Sequence, residues 1–423
     1  MKSTVAVVGA GLMGTTTAWF LAQHGFDVTV IERRDAAGLE TSFANGGLLT
    51  PSESDPWNAP GTLRHLLGWM GHEDSPLLLR VRAIPGMLGW GIRFLRASKP
   101  APHARATDAI LRLALYNLKV LGELEHQLPL KYDRLCNGTL KVFHERKAFE
   151  QTQKLADRLR PLGLESKALT PHEAAELEPW LQHAATQLAG AIHYPQDGSG
   201  DAYEFTRVMQ EQALAAGVKF RFGTMVTGLH SDGKRLASIV TSDGIIEADL
   251  YVVAAGSYSP LLVKSLHLAL PIYPAKGYSV TLGPVIGAQL RTPIVDFEQK
   301  VVITPLGKRL RIAGTAEFNG YNTQPNPQRS ASALRQAAHL LPEVAKVAEN
   351  GEGMTYWAGL RPMTCDGPPI LGASGYKNLF FNTGHGPLGW TLCAGSARLV
   401  ADIVAERKPE IDVAPYRVAR FSA

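Results

Sequence analysis

Strand and helix patterns alternate at the start of the chain. Residues 5–8 form an unbroken apolar run rich in β-branched side chains, which predicts a parallel strand buried on both faces. A helical pattern follows to His24 and stops at Gly25, and a second apolar run over 28–31 ends at Glu32. This order of elements predicts a βαβ unit.

Two further buried strands are indicated in the second half of the chain. Residues 248–257 form an apolar run that ends in small residues. Residues 378–386 form a strand that ends in glycines and leads into a helix over 388–406. Both strands therefore end in turns that allow a ligand to approach the backbone.

Shorter strands are predicted between these segments. The dipeptide Asn137-Gly138 predicts a hairpin that joins Leu135 to a strand over 140–143. Four apolar runs predict additional strands over 191–194, 280–282, 301–304 and 311–314. The middle of the chain is thus expected to contribute a sheet of its own.

The composition is typical of a globular protein. Of the 423 residues, 45% are hydrophobic and 19% are charged, which excludes the disordered, collagen-like and coiled-coil classes and suggests two or three domains. The net charge of +5 is small and dispersed, so no nucleic-acid partner is expected. The three cysteines form no Cys-x-x-Cys pair, which argues against a disulfide framework or zinc site and favours a reducing compartment. Neither a signal-peptide pattern nor an apolar run of membrane-spanning length is present, so a cytoplasmic location is expected.

A glycine motif follows the first strand. Gly9 allows a tight turn, Gly11 lets a pyrophosphate approach the N–H groups of a helix N-terminus, and Gly14 allows the helix to pack closely on the sheet. Glu32 places a carboxylate at the tip of the second strand, where it can bind ribose hydroxyls. We also place Arg33 among the cofactor-contacting residues. A basic residue here could bind the 2′-phosphate of NADP, but the neighbouring Glu32 would repel that phosphate, so NADP is disfavoured. The motif predicts a dinucleotide site.

The later segments favour FAD over NAD. A helix N-terminus behind the glycine-rich turn at 384–386 is an anion site, and it would stabilise the negative charge of a reduced flavin by about 0.5–2 kcal/mol. An NAD enzyme does not need three separated segments on one cofactor, so we predict FAD. The cofactor-contacting residues predicted in these segments are Ala255, Gly256, Gly384, Gly386, Leu388 and Gly389.

Five motifs resemble those of a known enzyme family. They are ETSFANGG at 40–47, YPAKGYS at 273–279, GTAE at 314–317, GLRPMT at 359–364 and NTGHGPLGW at 382–390. In this order they resemble the D-amino-acid dehydrogenase (small subunit) family of the D-amino-acid oxidase and glycine oxidase superfamily. The resemblance spans almost the full chain, and it implies FAD-dependent oxidative deamination of D-amino acids.

The resemblance also implies an α/β fold (α+β overall) with two discontinuous domains. One is a Rossmann-type FAD-binding domain, and the other is a mostly antiparallel sheet that forms the substrate domain, as in glutathione reductase and D-amino-acid oxidase. We predict FAD-binding segments at 1–58, 196–265 and 355–423, and substrate-domain segments at 59–195 and 266–354.

The implied reaction transfers a hydride from the substrate Cα to flavin N5, after which the imino acid hydrolyses to a 2-oxo acid and ammonia. The flavin carries the redox step, and the protein supplies orientation and electrostatics. Arg361 resembles the superfamily's carboxylate-binding arginine, and its planar guanidinium can form two charge-assisted hydrogen bonds. The alternative role for Arg361 is a structural salt bridge. Arg311 is a second candidate cation, with a solvated charge on a strand as the alternative.

Other polar side chains are candidates for the same site. Tyr278 and Tyr273 are candidates to bind the carboxylate or close the pocket, although a tyrosine on a half-buried strand is more often part of the core. His385 is a candidate to touch the flavin or the substrate amine, with a helix-capping role as the alternative. Ser42 and Asn45 are expected to reach the diphosphate and the flavin edge. The remaining histidines show no metal-ligand spacing.

Residues 59–99 form a basic and apolar segment. Many large apolar side chains are interleaved there with basic residues, against only two acids, and the basic residues are Arg64, Arg80, Arg82, Arg93, Arg96 and Lys99. Such a segment is compatible with peripheral contact with the inner face of an anionic cell membrane, which would suit electron transfer to a quinone. A pair of amphipathic helices that covers the core is the alternative.

Three alternative functions remain open at this point. A cyclic secondary amine such as D-proline or cis-4-hydroxy-D-proline is an alternative substrate for the same chemistry. The chain is alternatively the flavin-carrying subunit of a heteromeric complex that is inactive alone. A non-catalytic nucleotide-binding module is the third alternative.

Overall fold

The computed structural model describes residues 2–62, 73, 75–283, 290–350 and 353–422. In these residues the strands are β1 Thr4–Val8, β2 Asp27–Ile31, β3 Leu48–Leu49, β4 Leu77–Leu79, β5 Thr139–Phe143, β6 Lys167–Leu169, β7 Gly190–Tyr194, β8 Gly198–Ser199, β9 Lys219–Arg221, β10 Val226–Asp232, β11 Arg235–Thr241, β12 Gly244–Ile246, β13 Leu250–Val253, β14 Ile272–Leu282, β15 Ile294–Asp296, β16 Val301–Leu306, β17 Arg309–Phe318, β18 Thr355–Thr364, β19 Ile370–Ala373 and β20 Leu379–Thr383. The α-helices are α1 Leu12–Gln23, α2 Ile84–Ala97, α3 Pro100–Gln127, α4 Arg146–Leu159, α5 Pro171–Leu177, α6 Ala202–Ala215, α7 Ser259–Val263, α8 Pro327–Leu340, α9 Pro342–Asn350 and α10 Gly389–Val404.

The first sheet has the strand order β19-β20-β13-β1-β2-β9. All neighbours are parallel except β19, which is antiparallel to β20. The three strands predicted at 5–8, 28–31 and 248–257 are confirmed as neighbours in this sheet. Helices α1, α3, α6 and α10 share one apolar core with its inner face. A parallel sheet covered by helices explains why its strands read as unbroken apolar runs.

The second sheet is larger and mostly antiparallel. Its order is β18-β14-β17-β16-β15-β5-β7-β6, with β4 also paired to β17. Only the β15–β5 and β17–β4 pairs are parallel. Helices α8 and α9 pack on one face of it. The predicted fold class, a Rossmann-type unit with a mostly antiparallel second sheet, is therefore confirmed.

The two sheets draw on alternating stretches of the chain. The first sheet takes strands from the beginning, the middle and the end of the sequence, whereas the second sheet takes most of its strands from the intervals between them. Strand β18 pairs in the second sheet although it lies within 355–423. The five-segment division by residue number stays a prediction.

The hairpin predicted around Asn137-Gly138 is wrong. Leu135 bridges Ser199, with its N–H 2.9 Å from the Ser199 carbonyl oxygen, and the following strand β5 pairs with β7 and β15 instead. Gly138 does adopt a positive φ of 76°. The backbone conformation expected of the turn is present, but β5 pairs with strands that are distant in the sequence and not with the residues just before the turn.

Part of the basic segment at 59–99 lies outside the described residues. Arg64, the apolar residues between 66 and 70, and Asp74 are among those not described. In the described part, Leu77–Leu79 is a strand on β17 rather than part of a helix, and Ile84–Ala97 is the helix α2. No helix in the described ranges is long and apolar enough to cross a membrane.

Candidate active site

A large cavity lies between the two sheets. Its volume is about 1570 Å³, and it is lined by the carboxyl ends of β1, β2, β13 and β20 on one side and by β14, β16, β17 and β18 on the other. Pockets for a single small ligand typically measure about 300–1,000 Å³, so this cavity can hold a cofactor and a substrate together. Ligands of parallel α/β sheets bind at the carboxyl ends of the strands, as here.

The glycine motif forms the part of the cavity nearest α1. Gly9 has a φ of 103°, and a Cβ there would lie 2.8 Å from the Ala254 carbonyl oxygen. A Cβ at Gly14 would lie 1.8 Å from the Gly9 oxygen, so only glycine allows α1 to pack this closely. Gly11 and the first residues of α1 line the cavity. The Ser42 hydroxyl accepts a hydrogen bond from the Leu12 N–H at 3.1 Å, which places Ser42 at this helix N-terminus.

Glu32 ends β2 at the cavity wall and is buried. Its carboxylate accepts hydrogen bonds from the N–H groups of Ala10 at 2.7 Å and Arg34 at 2.9 Å. Each oxygen keeps one lone pair for a further donor such as a ribose hydroxyl. Arg33 also lines the cavity, where it lies 3.9 Å from the centre of the Tyr258 ring.

The two later segments meet the same cavity. Ala255 and Gly256 line it, as do Gly386, Leu388 and Gly389 at the start of α10. Gly384, with a φ of 80°, does not line the cavity and packs against Thr364 instead. In the same wall, the buried Asn382 Oδ1 has no hydrogen-bond partner among the described residues. Helix N-terminal N–H groups, an acid at the ribose position and an unpartnered amide oxygen together fit an FAD.

Arg361 is the most unusual charge in the cavity. It lies on β18 opposite Ala275 of β14, and its guanidinium occupies the space above Gly277, where a Cβ would approach the Arg361 Cζ to 2.6 Å. The Trp57 ring centre is 5.5 Å away. Within the described chain, no carboxylate lies within 4.0 Å of the guanidinium and it makes no hydrogen bond. Burial lowers the Arg361 pKa to about 10, so the group is a cation at neutral pH that lacks a counter-ion.

Tyr278 borders the cavity, but the hydroxyl groups of both predicted tyrosines are bound to other protein groups. Side chains alternate between the faces of a strand, so Tyr278 lies on the face opposite Arg361 and Gly277. Its hydroxyl donates to the buried Glu317, and burial together with this hydrogen bond raises the Tyr278 pKa. The Tyr273 hydroxyl donates to the Ala83 carbonyl oxygen at 3.3 Å, and Tyr273 is not part of the cavity lining. A substrate contact by either tyrosine stays a prediction.

His385 lies in the cavity wall beside the start of α10. Its Nε2 is 3.1 Å from the Ser396 Oγ, and burial lowers its pKa to about 3. The imidazole is therefore neutral at physiological pH. It can hold or pass a hydrogen bond, but it adds no positive charge that would repel a substrate amine.

Asn45 lines the cavity and lies in a loop that two hydrogen bonds hold in place. Its side-chain oxygen accepts the Gly47 N–H at 2.9 Å, and its carbonyl oxygen accepts Arg311 Nη1 at 3.1 Å. Arg311 also donates to the Thr281 hydroxyl at 2.8 Å and is buried outside the lining. The sequence analysis proposed Arg311 as a second cation that binds the substrate, whereas its contacts fit a role in holding the Asn45 loop.

Sequence reasoning missed several residues of the cavity. Gly277 and Trp57 flank Arg361, and Lys300 and Thr315 line the wall further along the second sheet. Gly277 stands in one of the family motifs, but its role depends on which strand pairs with β14. Thr315 stands in another of these motifs, GTAE, whereas Trp57 and Lys300 carry no local signal.

One group of possible metal ligands was also missed. The ligand atoms of His144, Asp296 and Glu298 lie within 4.8 Å of one another. His144 Nε2 is 2.9 Å from Asp296 Oδ2, and Glu298 accepts the N–H groups of His144 and Glu145. These contacts account for the arrangement as a polar network at the end of β15.

Comparison with known proteins also indicates an FAD-dependent enzyme. The chain matches the family model described as DAO, FAD dependent oxidoreductase, over residues 4–403. A protein of Paramagnetospirillum magneticum named D-amino acid dehydrogenase is 45% identical over 423 residues, which cover 99% of each chain. A protein of the same name from Dechloromonas aromatica is 44% identical over 96% of this chain and 98% of its own length. Among solved structures, L-proline dehydrogenase from P. horikoshii superposes with a TM-score of 0.79 at 19% identity, over 100% of this chain and 98% of that one, which shows a shared fold.

Proposed function

Because this chain belongs to the FAD-dependent oxidoreductase family, we propose that it is an FAD-dependent dehydrogenase of D-amino acids. Its products are then a 2-oxo acid and ammonia. Relatives at 37–45% identity over nearly the whole chain carry the name D-amino acid dehydrogenase, which supports a D-amino acid as substrate. The predicted cofactor FAD and the predicted enzyme class are confirmed by the family.

The observation that carries the proposal is the unpaired Arg361 guanidinium in the cavity. A buried cation without a counter-ion is costly, and an anion that enters the cavity removes this cost. The α-carboxylate of an amino acid matches the planar fork with two parallel hydrogen bonds. Gly277 leaves room for the guanidinium, and the Trp57 ring flanks it, so the carboxylate is held in one orientation.

The residues around the cofactor site support binding and orientation. FAD, when bound, would supply the acceptor for the hydride, a proton together with two electrons, that leaves the substrate Cα. Glu32 and the N-terminus of α1 would hold its ribose and diphosphate, and the N-terminus of α10 would face the negative charge of its reduced form. His385 stays neutral, so the substrate amine meets no positive charge there.

The electron acceptor and a membrane contact belong to the same proposal. We propose a quinone-type acceptor and a peripheral contact through α2. The outer face of α2 and the turn before it expose Val81 (74%), Leu88 (60%), Ile92 (46%) and Leu95 (41%). Exposed basic residues flank them, and residues 75–107 contain no Asp or Glu. An apolar stripe with a basic border is typical of a helix that lies on an anionic lipid surface.

Vesicle flotation tests this contact. Vesicles that contain anionic lipid should carry the wild-type protein upward, and neutral vesicles should carry less of it. The double variant Leu88→Ser/Ile92→Ser should lose binding, while Leu214→Ser, which changes a residue that is 48% exposed on α6, should not. Equal binding by all three proteins would refute a role for α2.

Anaerobic reduction of the bound flavin by a substrate panel tests the proposed function. The purified single chain should lose its flavin absorbance with D-amino acids and keep it with their L-enantiomers. Bleaching by D-proline but not by D-alanine would instead assign a cyclic secondary amine as substrate. A yellow chain that no amino acid bleaches would refute the proposal and favour a subunit that needs a partner.

A further inference from the structure

A second unpaired cation lines the cavity beyond Arg361. Lys300 lies in the turn between β15 and β16, and its exposed side chain borders the cavity. Its Nζ lies 3.7 Å from the centre of the Phe297 ring, and no carboxylate of the described chain lies within 4.0 Å of it. Burial lowers its pKa, while the nearby carboxylates of Glu53, Glu298 and Asp296 raise it. Lys300 therefore offers a positive charge to a ligand.

The acids near Lys300 have closer partners. Glu53 pairs with the buried Lys141, whose Nζ is 2.6 Å from Glu53 Oε1. Asp296 pairs with His144 at 2.9 Å, and Glu298 accepts two backbone N–H groups at the start of α4. The carboxylates of all three acids interact electrostatically with Lys300 at longer range, but none of them forms an ion pair with it.

Lys300 and Arg361 both line the cavity on the side of the second sheet. Gly277, above which the Arg361 guanidinium lies, is on β14, and Lys300 immediately precedes β16, with β17 between these strands. Two strand spacings separate the two strands by about 10 Å. The cavity floor between them is built from small residues, namely Gly277, Ala313, Gly314, Thr315 and Ala316. A ligand can therefore extend from one cation towards the other.

Thr315 lies in the middle of this interval and has an unusual conformation. Its φ is 55°, at the irregularity where β17 has one extra residue opposite Gly277 and Tyr278. Positive φ is rare for a β-branched residue, and bulges of this kind often redirect a side chain beside an active site. Its Oγ1 is buried and has no hydrogen-bond partner in the described residues. Strain and an unpartnered hydroxyl together point to a ligand contact at this position.

We infer that Lys300 and Thr315 form a subsite for the side-chain carboxylate of an acidic D-amino acid whose α-carboxylate is bound by Arg361. The inference rests on the proposed function and names its substrate class. Lys300 donates a charge-assisted hydrogen bond to the distal carboxylate, and the Thr315 hydroxyl provides a second donor after rotation about its Cα–Cβ bond. The long lysine side chain adjusts to the length of the substrate.

Pairs of substrates that differ by charge alone test the subsite. The wild-type enzyme should use D-glutamate better than D-glutamine and D-aspartate better than D-asparagine, by about 10-fold or more in kcat/KM. The variant Lys300→Met keeps the length and removes the charge, and it should reduce each of these ratios to about 1. Activity on D-alanine should stay within about 2-fold, because that substrate does not reach Lys300. The matched control Lys308→Met changes an exposed lysine of the β16–β17 turn outside the cavity lining, and it should leave all ratios unchanged.

A binding measurement separates this subsite from the chemistry. 2-Oxoglutarate should raise the melting temperature of the wild-type protein more than 2-oxobutyrate does, and Lys300→Met should abolish the difference. Equal ratios in wild type and Lys300→Met, with D-alanine still oxidised, would overturn the subsite and leave the proposed function intact. Failure of every D-amino acid, D-alanine included, would instead overturn the proposed function.

Discussion

Replacement of Arg361 is the most direct test of the site. The guanidinium has no protein counter-ion in the described chain, so its two hydrogen bonds are available to the substrate carboxylate. Each bond to a charged group contributes about 1.5–3 kcal/mol. Arg361→Met should therefore lower kcat/KM by about 10²- to 10⁴-fold, at about 1.4 kcal/mol per tenfold change. Arg361→Lys should cause an intermediate loss, because a point cation cannot form the planar fork.

The position of the guanidinium can be tested without a change of charge. In Gly277→Ala the new Cβ would lie 2.6 Å from the Arg361 Cζ and would displace the guanidinium. The substitution should raise KM in the same direction as the Arg361 variants. Gly228→Ala is the matched control, because its Cβ would meet only the Val240 Cβ at an ordinary 3.9 Å.

Steady-state kinetics, flavin content and melting temperature together decide the outcome. Arg361→Met should retain FAD, and without ligand it should be at least as stable as wild type, because it removes a buried unpaired charge. A carboxylate inhibitor should stabilise the wild type but not the variant. Near-normal kinetics with full flavin content in Arg361→Met would refute the assignment, and so would a large loss of stability without ligand, which would reveal a structural ion pair.

Three other predictions concern the cofactor and the titratable groups. Glu32→Gln should weaken FAD binding by about 10-fold or more, measured by flavin release on dilution, because a charged acceptor is lost; unchanged retention would remove Glu32 from the ribose site. Because burial holds the His385 pKa at about 3, His385→Gln should leave the shape of the kcat/KM pH profile between pH 5 and 9 unchanged, and a lost inflection near 6.5 would contradict this. Burial raises the Asp197 pKa from 3.8 to about 7, so the native state binds this proton more tightly and loses stability as pH rises through that interval. Asp197→Asn should therefore raise the melting temperature more at pH 8 than at pH 5, and an equal shift at both would show that this carboxyl does not titrate there.

The cofactor end of the site could be predicted from the sequence because its parts are close together in the chain. Gly9, Gly11, Gly14 and Glu32 fall within one βαβ unit, and each has a local requirement that the sequence reveals, such as the positive φ of Gly9. Apolar runs over strands and a helical period between them do not depend on distant residues. The same local reasoning failed at Asn137-Gly138, since a turn signal does not say which strand will be the partner.

The substrate end required the tertiary structure. The motif around Arg361 came from resemblance alone, and its unpaired state follows from the β14–β18 register that brings Gly277 beneath it. The same register turns Tyr278 to the opposite face and onto Glu317, although it stands next to Gly277 in the sequence. Lys300 and Thr315 reach the cavity through an irregularity and a turn that no apolar pattern indicates. The chain alone determined the local elements and the cofactor, whereas the pairing of distant strands decided which charges face the cavity, because a shift of one residue in register exchanges the two faces of a strand.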